Sequence, residues 1–178
     1  LWEDQQAHRW EPAPYNDTYV ELAGHTMGIL SLGDIGMAVA QRAHGFGMEV
    51  YAVDKHPRPT GPEGTSVWGM ERLDKLLAMS DWFVVTAPLT DETRGFIDRR
   101  RLGLLKEGAR IIVISRGDIV DEEALIDELR SGRIAGAGLD AMAVEPLPPE
   151  SPFWDMKTVV VTPHASALTP EMSRGRQE

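Results

Sequence analysis

An arginine, a glutamate and a histidine each follow a short apolar run in the C-terminal half of the chain: Arg116 in SRGDIVDE, Glu145 in GLDAMAVEP and His164 in TPHAS. A forked guanidinium holds a small anion, an imidazole moves a proton near neutral pH, and a carboxylate beside that imidazole fixes its ring. Further upstream, GILSLGDIG places glycines at 28, 33 and 36 between an apolar run and a helical stretch. Such a turn aims free backbone N–H groups at a diphosphate, because a side chain there would keep the anion away. Asp54 closes the next apolar run, at the distance of about 20 residues where a carboxylate accepts hydrogen bonds from the adenosine ribose. Its charge repels a 2′-phosphate and so favours NAD over NADP. Two residues depart from the pattern. Ser31 stands where G-x-G-x-x-G has glycine, and Asp34 puts a carboxylate near the phosphates, although an acid in a first helical turn also meets the macrodipole favourably.

These groups lie far apart in sequence, so the elements between them must bring them together. From His25 the chain alternates between apolar runs and helical stretches. MGILSL is followed by a helix in which Ile35, Val39, Ala43 and Phe46 recur at spacings of three or four. Glu49 to Asp54 forms the next strand, before the loop HPRPTGPEG and a helix marked by Leu73, Leu76 and Leu77. Trp82 to Thr86, Arg110 to Ser115, Ile134 to Asp140 and Thr158 to Thr162 read as further strands. Helices are expected over about 98 to 105 and 121 to 131, the second with Asp121 as N-cap and Gly132 as its stop. Strands without polar alternation, separated by helices, indicate an α/β doubly wound parallel sheet in the order 3-2-1-4-5-6. In such a sheet every strand's carboxyl end faces one crevice. Gly33, Asp54, Thr86, Ser115, Arg116, Asp140 and His164 all stand at those ends.

The 178 residues suit one domain, with a core about 20–166, an N-terminal arm 1–19 and a tail 167–178. A net charge of -10 and a pI near 5.0 disfavour nucleic-acid and anionic-membrane partners. The basic run Arg99 to Arg101 reads as a solvated helix face. Absence of cysteine excludes thiolate metal sites, no metal site is expected, and a cytoplasmic setting fits without being required. Met37, Met48, Met70 and Met79 read as core, and His8, His25, His44 and His56 as structural or surface residues. The chain starts at Leu1, which suggests that something upstream is missing.

PLTDETRGFI, RGDIVDEEAL, LRSGRIAGAGLD and VTPHAS, in that order, resemble the signatures of the D-isomer-specific 2-hydroxyacid dehydrogenases over about residues 20 to 170. The resemblance implies a Rossmann-like NAD-binding domain and hydride transfer between NADH and a small 2-keto or 2-hydroxy acid. It implies that Arg116 holds the substrate carboxylate, that His164 exchanges the proton on the C2 oxygen, and that Glu145 pairs with His164. For the cofactor it implies contacts from Gly33, Asp34, Ile35 and Gly36 at the turn. Asp54, Thr86 and Pro88 would follow along the edge. Ile114, Ser115, Arg116 and His164 would surround the nicotinamide end, with Asp140 on the carboxamide. Val113, Ala141 and Met142 differ from the commoner family residues in ways that alter packing more than chemistry. Most of the separate substrate domain that the family builds is absent, and the family commonly forms homodimers through this domain, to which an arm carrying Trp2 and Trp10 could contribute. The rival expectation is a noncatalytic, NAD-responsive interaction module of corepressor type.

Overall fold

The computed structural model describes residues 2–11, 19–57, 61–62 and 64–169. Seven parallel strands form one sheet: β1 (Thr26–Leu30), β2 (Glu49–Val53), β3 (Ser66–Trp68), β4 (Trp82–Val85), β5 (Ala109–Val113), β6 (Ile134–Leu139) and β7 (Val159–Val161). Their order is β3-β2-β1-β4-β5-β6-β7, the doubly wound arrangement with β7 added at the far edge. Chain direction reverses its walk across the sheet between β1 and β4, which opens the crevice there.

The sheet separates two cores. On one face Met27, Ile29, Val50, Ala52 and Val84 pack under helix α2 (Asp34–Gly45). On the other, Leu30, Val53, Phe83, Val85 and Ile111 meet α3 (Leu73–Met79), α4 (Arg99–Leu102) and α5 (Glu122–Arg130). Side chains alternate between faces along each strand, so a strand buried on both sides must be apolar throughout. All five residues of β1 are buried.

Several local expectations change. The buried face of α2 is Gly36, Ala40 and Ala43, whereas Ile35 and Phe46 are exposed. A helix that approaches a sheet this closely is selected for small residues, which carry little hydrophobic periodicity. At Gly36 an added Cβ would lie 2.4 Å from the Ser31 carbonyl oxygen. Gly28 serves packing too: it lies within β1, where a Cβ would meet the Ser80 hydroxyl at the end of α3. Strand β3 lies just after the stretch read as loop, among residues to which the sequence reading gives no element. It has only three residues, and its register on β2 is fixed partly by Trp68 against Tyr51, with ring centroids 5.1 Å apart. Helix α4 is shorter than expected; Asp98 caps it by accepting from Arg101 N–H at 2.8 Å, and Gly103 follows its last residue.

Helix α5 matches its reading. Asp121 accepts from Ala124 N–H at 3.0 Å, and Gly132, at φ +77°, turns the chain away. The basic run is solvated as expected at Arg99 and Arg100 and not at Arg101. Arg99 pairs with Asp127 and Arg100 with Asp74, while Arg101 donates to the Phe96 carbonyl from a half-buried position. The N-terminal arm begins with the short helix α1 (Trp2–Gln6), and Trp10 beyond it is 95% exposed. The side chain of Trp2 and residues 170–178 of the tail fall outside the described residues. Among the described residues no helix is long and apolar enough to cross a membrane.

Candidate functional site

The turn after β1 is held from both sides. Ser31 adopts φ +75°, a left-handed conformation that disfavours any residue with a Cβ. Its N–H donates to the Val53 carbonyl at 2.8 Å on the β2 side. On the β4 side the Thr86 hydroxyl donates to the Ser31 and Leu30 carbonyls, at 2.6 and 2.9 Å. Gly33 then enters α2 with no side-chain cap, and a Cβ there would point into open space. The first-turn N–H groups of α2 are thereby presented to an incoming anion. Asp34 and Ile35 are exposed beside them.

Asp54 is tied into the same turn. One carboxylate oxygen accepts from Leu32 N–H at 2.8 Å and from the Ser31 hydroxyl at 3.2 Å; the other accepts from His56 N–H at 2.8 Å. Partial burial pushes its pKa up, but these bonds, led by the His56 and Leu32 N–H groups, outweigh it and hold the carboxyl below its usual range. The group is anionic at neutral pH and half-buried, with a cavity of about 570 Å³ beside it. Pro88, Phe96 and His56 line that cavity, so His56 belongs to the cleft and not only to the surface.

The other half of the edge carries the candidate proton-transfer groups. Ser115 is buried after β5 and its hydroxyl has no partner, while Arg116 is exposed and donates to the Ser115 carbonyl at 2.7 Å. At Gly117 a Cβ would lie 2.1 Å from the Met142 carbonyl carbon, so the segments after β5 and β6 cross backbone to backbone. Val113, Ala141 and Met142, the family departures, are all buried there. His164 Nδ1 lies 2.9 and 3.0 Å from the two Glu145 oxygens. Glu145 also accepts from Met142 N–H at 3.0 Å. That backbone bond, the His164 contact and the charge of Arg116 hold its carboxyl below the ordinary range.

Asp140 performs a task that residue type does not reveal. It is buried at the end of β6, accepting from the Thr162 hydroxyl at 2.6 Å, Ala165 N–H at 2.9 Å and Ser166 N–H at 3.1 Å. Burial would raise its pKa, yet the bonds from Ser166, Thr162 and Ala165 bring it down to about 2. The carboxylate therefore clamps the loop in which His164 sits at φ +51°. A cavity of about 590 Å³, with Met142, Leu147, Trp154 and Val161 on its walls, opens beside Asp140, Glu145 and His164.

Because all seven strands are parallel, the groups following β1, β2, β4, β5, β6 and β7 share one edge of the sheet. That edge holds a turn that leaves helix N–H groups exposed, a carboxylate facing a cleft, an exposed guanidinium and an imidazole–carboxylate pair. The model of the D-isomer specific 2-hydroxyacid dehydrogenase, NAD binding domain, matches residues 1–166. The chain belongs to this family. The chain is 42% identical over 177 residues to glyoxylate/hydroxypyruvate reductase B of Serratia proteamaculans, covering 97% of the chain and 54% of that protein. With D-3-phosphoglycerate dehydrogenase of Mycobacterium leprae it shares 41% identity over 168 residues, or 93% of the chain and 31% of the relative. Among solved structures it is similar to the D-isomer specific 2-hydroxyacid dehydrogenase of Xanthobacter autotrophicus Py2 in complex with NADPH and MES. There the TM-score is 0.79 and the identity 42%, over 92% of the chain and 50% of that structure. The domain thus spans about half the length of the reductase and under a third of the phosphoglycerate relative.

The family's cofactor fits the residues present. Gly33 leaves room for a diphosphate against α2, Asp54 is charged and facing a cleft, and the buried Ser115 hydroxyl after β5 has a donor and acceptor to spare. Sequence reasoning missed four contributors: Lys55, Glu92, Thr162 and the internal role of Thr86. The first three touch predicted site residues or their cleft, but only through folding. Thr86, expected among cofactor contacts, directs its hydroxyl to the backbone of the glycine turn.

Proposed function

We propose that this domain supplies the cofactor site and the reacting side chains of an NAD-dependent oxidoreductase that interconverts a 2-keto acid and its D-2-hydroxy acid. The observation that carries the reading is the His164–Glu145 pair on the same sheet edge as the Gly33 turn and Asp54. Gly33, Asp34, Ile35 and Gly36 hold the diphosphate and Asp54 the adenosine ribose, with Pro88 on the wall of that cleft. Ile114, Ser115 and Asp140 border the nicotinamide end. When bound, NADH supplies the hydride for C2.

The chain's own groups do the rest. Arg116 engages the substrate carboxylate through its forked guanidinium and so orients the neighbouring carbonyl. His164 directs Nδ1 to Glu145, which leaves Nε2 to donate a proton to the C2 oxygen in reduction and to take it back in oxidation. Glu145 fixes the ring and offsets the positive charge of the imidazolium. Glyoxylate and hydroxypyruvate, named for the Serratia relative, are the first substrates to test. The Xanthobacter relative was solved with NADPH; in the present chain the Asp54 carboxylate favours NAD. A homodimer joined partly through the arm bearing the exposed Trp10, in a cytoplasmic setting, completes the proposal.

The test is NADH oxidation with glyoxylate, hydroxypyruvate and pyruvate by a protein that carries this domain together with its substrate-binding partner domain. His164→Ala is expected to lower kcat by about 10²- to 10⁴-fold, the range of a lost general acid, with NADH binding retained. Turnover that this substitution leaves intact removes His164 as the proton donor. Binding of NADH without turnover on any of the three acids favours a noncatalytic module instead.

A further inference from the structure

The cleft beside Asp54 has a second charged lip. Lys55 directly follows Asp54, and its ammonium reaches Glu92 in the loop after β4, with Nζ and Oε2 2.5 Å apart. The two side chains remain 63% and 72% exposed, and both line the cavity that Asp54, Ser31 and Thr90 line. Lys55 is the one lysine or arginine among the described residues lining that cavity, against the two carboxylates of Asp54 and Glu92. The corner where the adenosine ribose is read is therefore net negative, and its cation is already engaged.

A 2′-phosphate entering this corner meets repulsion from Asp54. It would also be the best partner Lys55 could find, since a phosphate oxygen makes a stronger charge-assisted bond than a solvated carboxylate. Exposed ion pairs such as Lys55–Glu92 are weak, so exchange of one partner for another is easy. Glu92 competes for the same ammonium and adds its own negative charge to the cleft.

We propose that Glu92 is a second determinant of cofactor choice: by holding the Lys55 ammonium across the cleft, it denies that cation to a 2′-phosphate and adds to the discrimination against NADPH set by Asp54. The inference rests on the reading that the adenosine end of the dinucleotide occupies this cleft. It extends that reading to a residue 37 positions along the chain from Lys55, on a different loop.

Titration of the 178-residue chain with NADH and NADPH, followed by nicotinamide emission, tests it. Glu92→Gln is expected to raise the affinity for NADPH relative to NADH by about two- to fivefold, the size of one exposed ion-pair partner. Adding Lys55→Met to that variant is expected to abolish the gain, and high salt to shrink it. An unchanged ratio in Glu92→Gln overturns the proposal, as does a gain that survives Lys55→Met. A parent chain that binds neither dinucleotide overturns the adenosine reading of the cleft, an outcome distinct from a parent that binds NADH while its variant keeps the same ratio.

Discussion

Asp54 and Asp140 occupy equivalent places, each closing a strand at the same sheet edge and each accepting three hydrogen bonds, two of Asp54's and all of Asp140's from a neighbouring loop, yet they do different work. Two of the bonds of Asp54 come from a turn already pinned by Thr86 and by the Val53 carbonyl, and the third from His56 two residues on, so its carboxylate is oriented more than it orients. It stays half-buried with one side open to a cleft. Asp140 is 5% exposed, and its partners belong to the loop after β7, a three-residue edge strand. Here the carboxylate does the holding. A strand-end acid can thus read a ligand or build a loop, and the rigidity of what surrounds it decides which.

The largest effect is expected at Asp140. Its folded-state pKa of about 2 lies below the ordinary 3.8, so the stabilisation it gives is complete above pH 3.8 and is lost as pH falls through 2. That difference corresponds to on the order of 2 kcal/mol. Asp140→Asn should cost about that much at neutral pH and almost nothing at pH 2, as read by urea unfolding at the two pH values. A loss that is equal at both would mean that shape, not charge, secures the His164 loop.

Asp54→Ala should give the opposite balance. We expect NADH affinity to fall by about tenfold, from lost ribose bonds of about 1.4 kcal/mol, with a change in stability of only about 1 kcal/mol. Calorimetric titration and thermal unfolding separate the two. A large stability loss with unchanged affinity would make Asp54 a second Asp140.

The smallest effect belongs to Ser31→Gly. Removing a Cβ from φ +75° should raise stability by up to about 1 kcal/mol, and clearing the turn should tighten NADH binding. Weaker binding by calorimetry would show that the hydroxyl's bond to Asp54 matters more than the strain it accompanies.

How much of this was legible in the sequence follows from the same contrast. The parallel sheet was readable because each apolar run stops at a polar or glycine residue, whereas the strand order belongs to the doubly wound topology and not to those runs. Strand β3 was not readable, since Ser66–Trp68 is too short to show a period and lies at an edge. The inward face of α2 was misread because Gly36, Ala40 and Ala43 bury by being small, whereas the larger Ile35 and Phe46 catch the eye and face solvent. At the site, residues named by their chemistry were readable: Asp54, Arg116, Glu145 and His164. What Asp140 does was not, because two of its three partners are backbone N–H groups, which every non-proline residue has. Lys55 and Glu92 escaped for a related reason, being ordinary surface residues until folding sets them face to face.

The crossing at Gly117 reaches beyond packing. With no room for a methyl group between residue 117 and the backbone of Met142 and Ala143, the ledge bearing the guanidinium and the ledge bearing the histidine's acid partner are interlocked. The reach from Arg116 to the His164–Glu145 couple is thereby a fixed ruler, set by main chain and not by side chains.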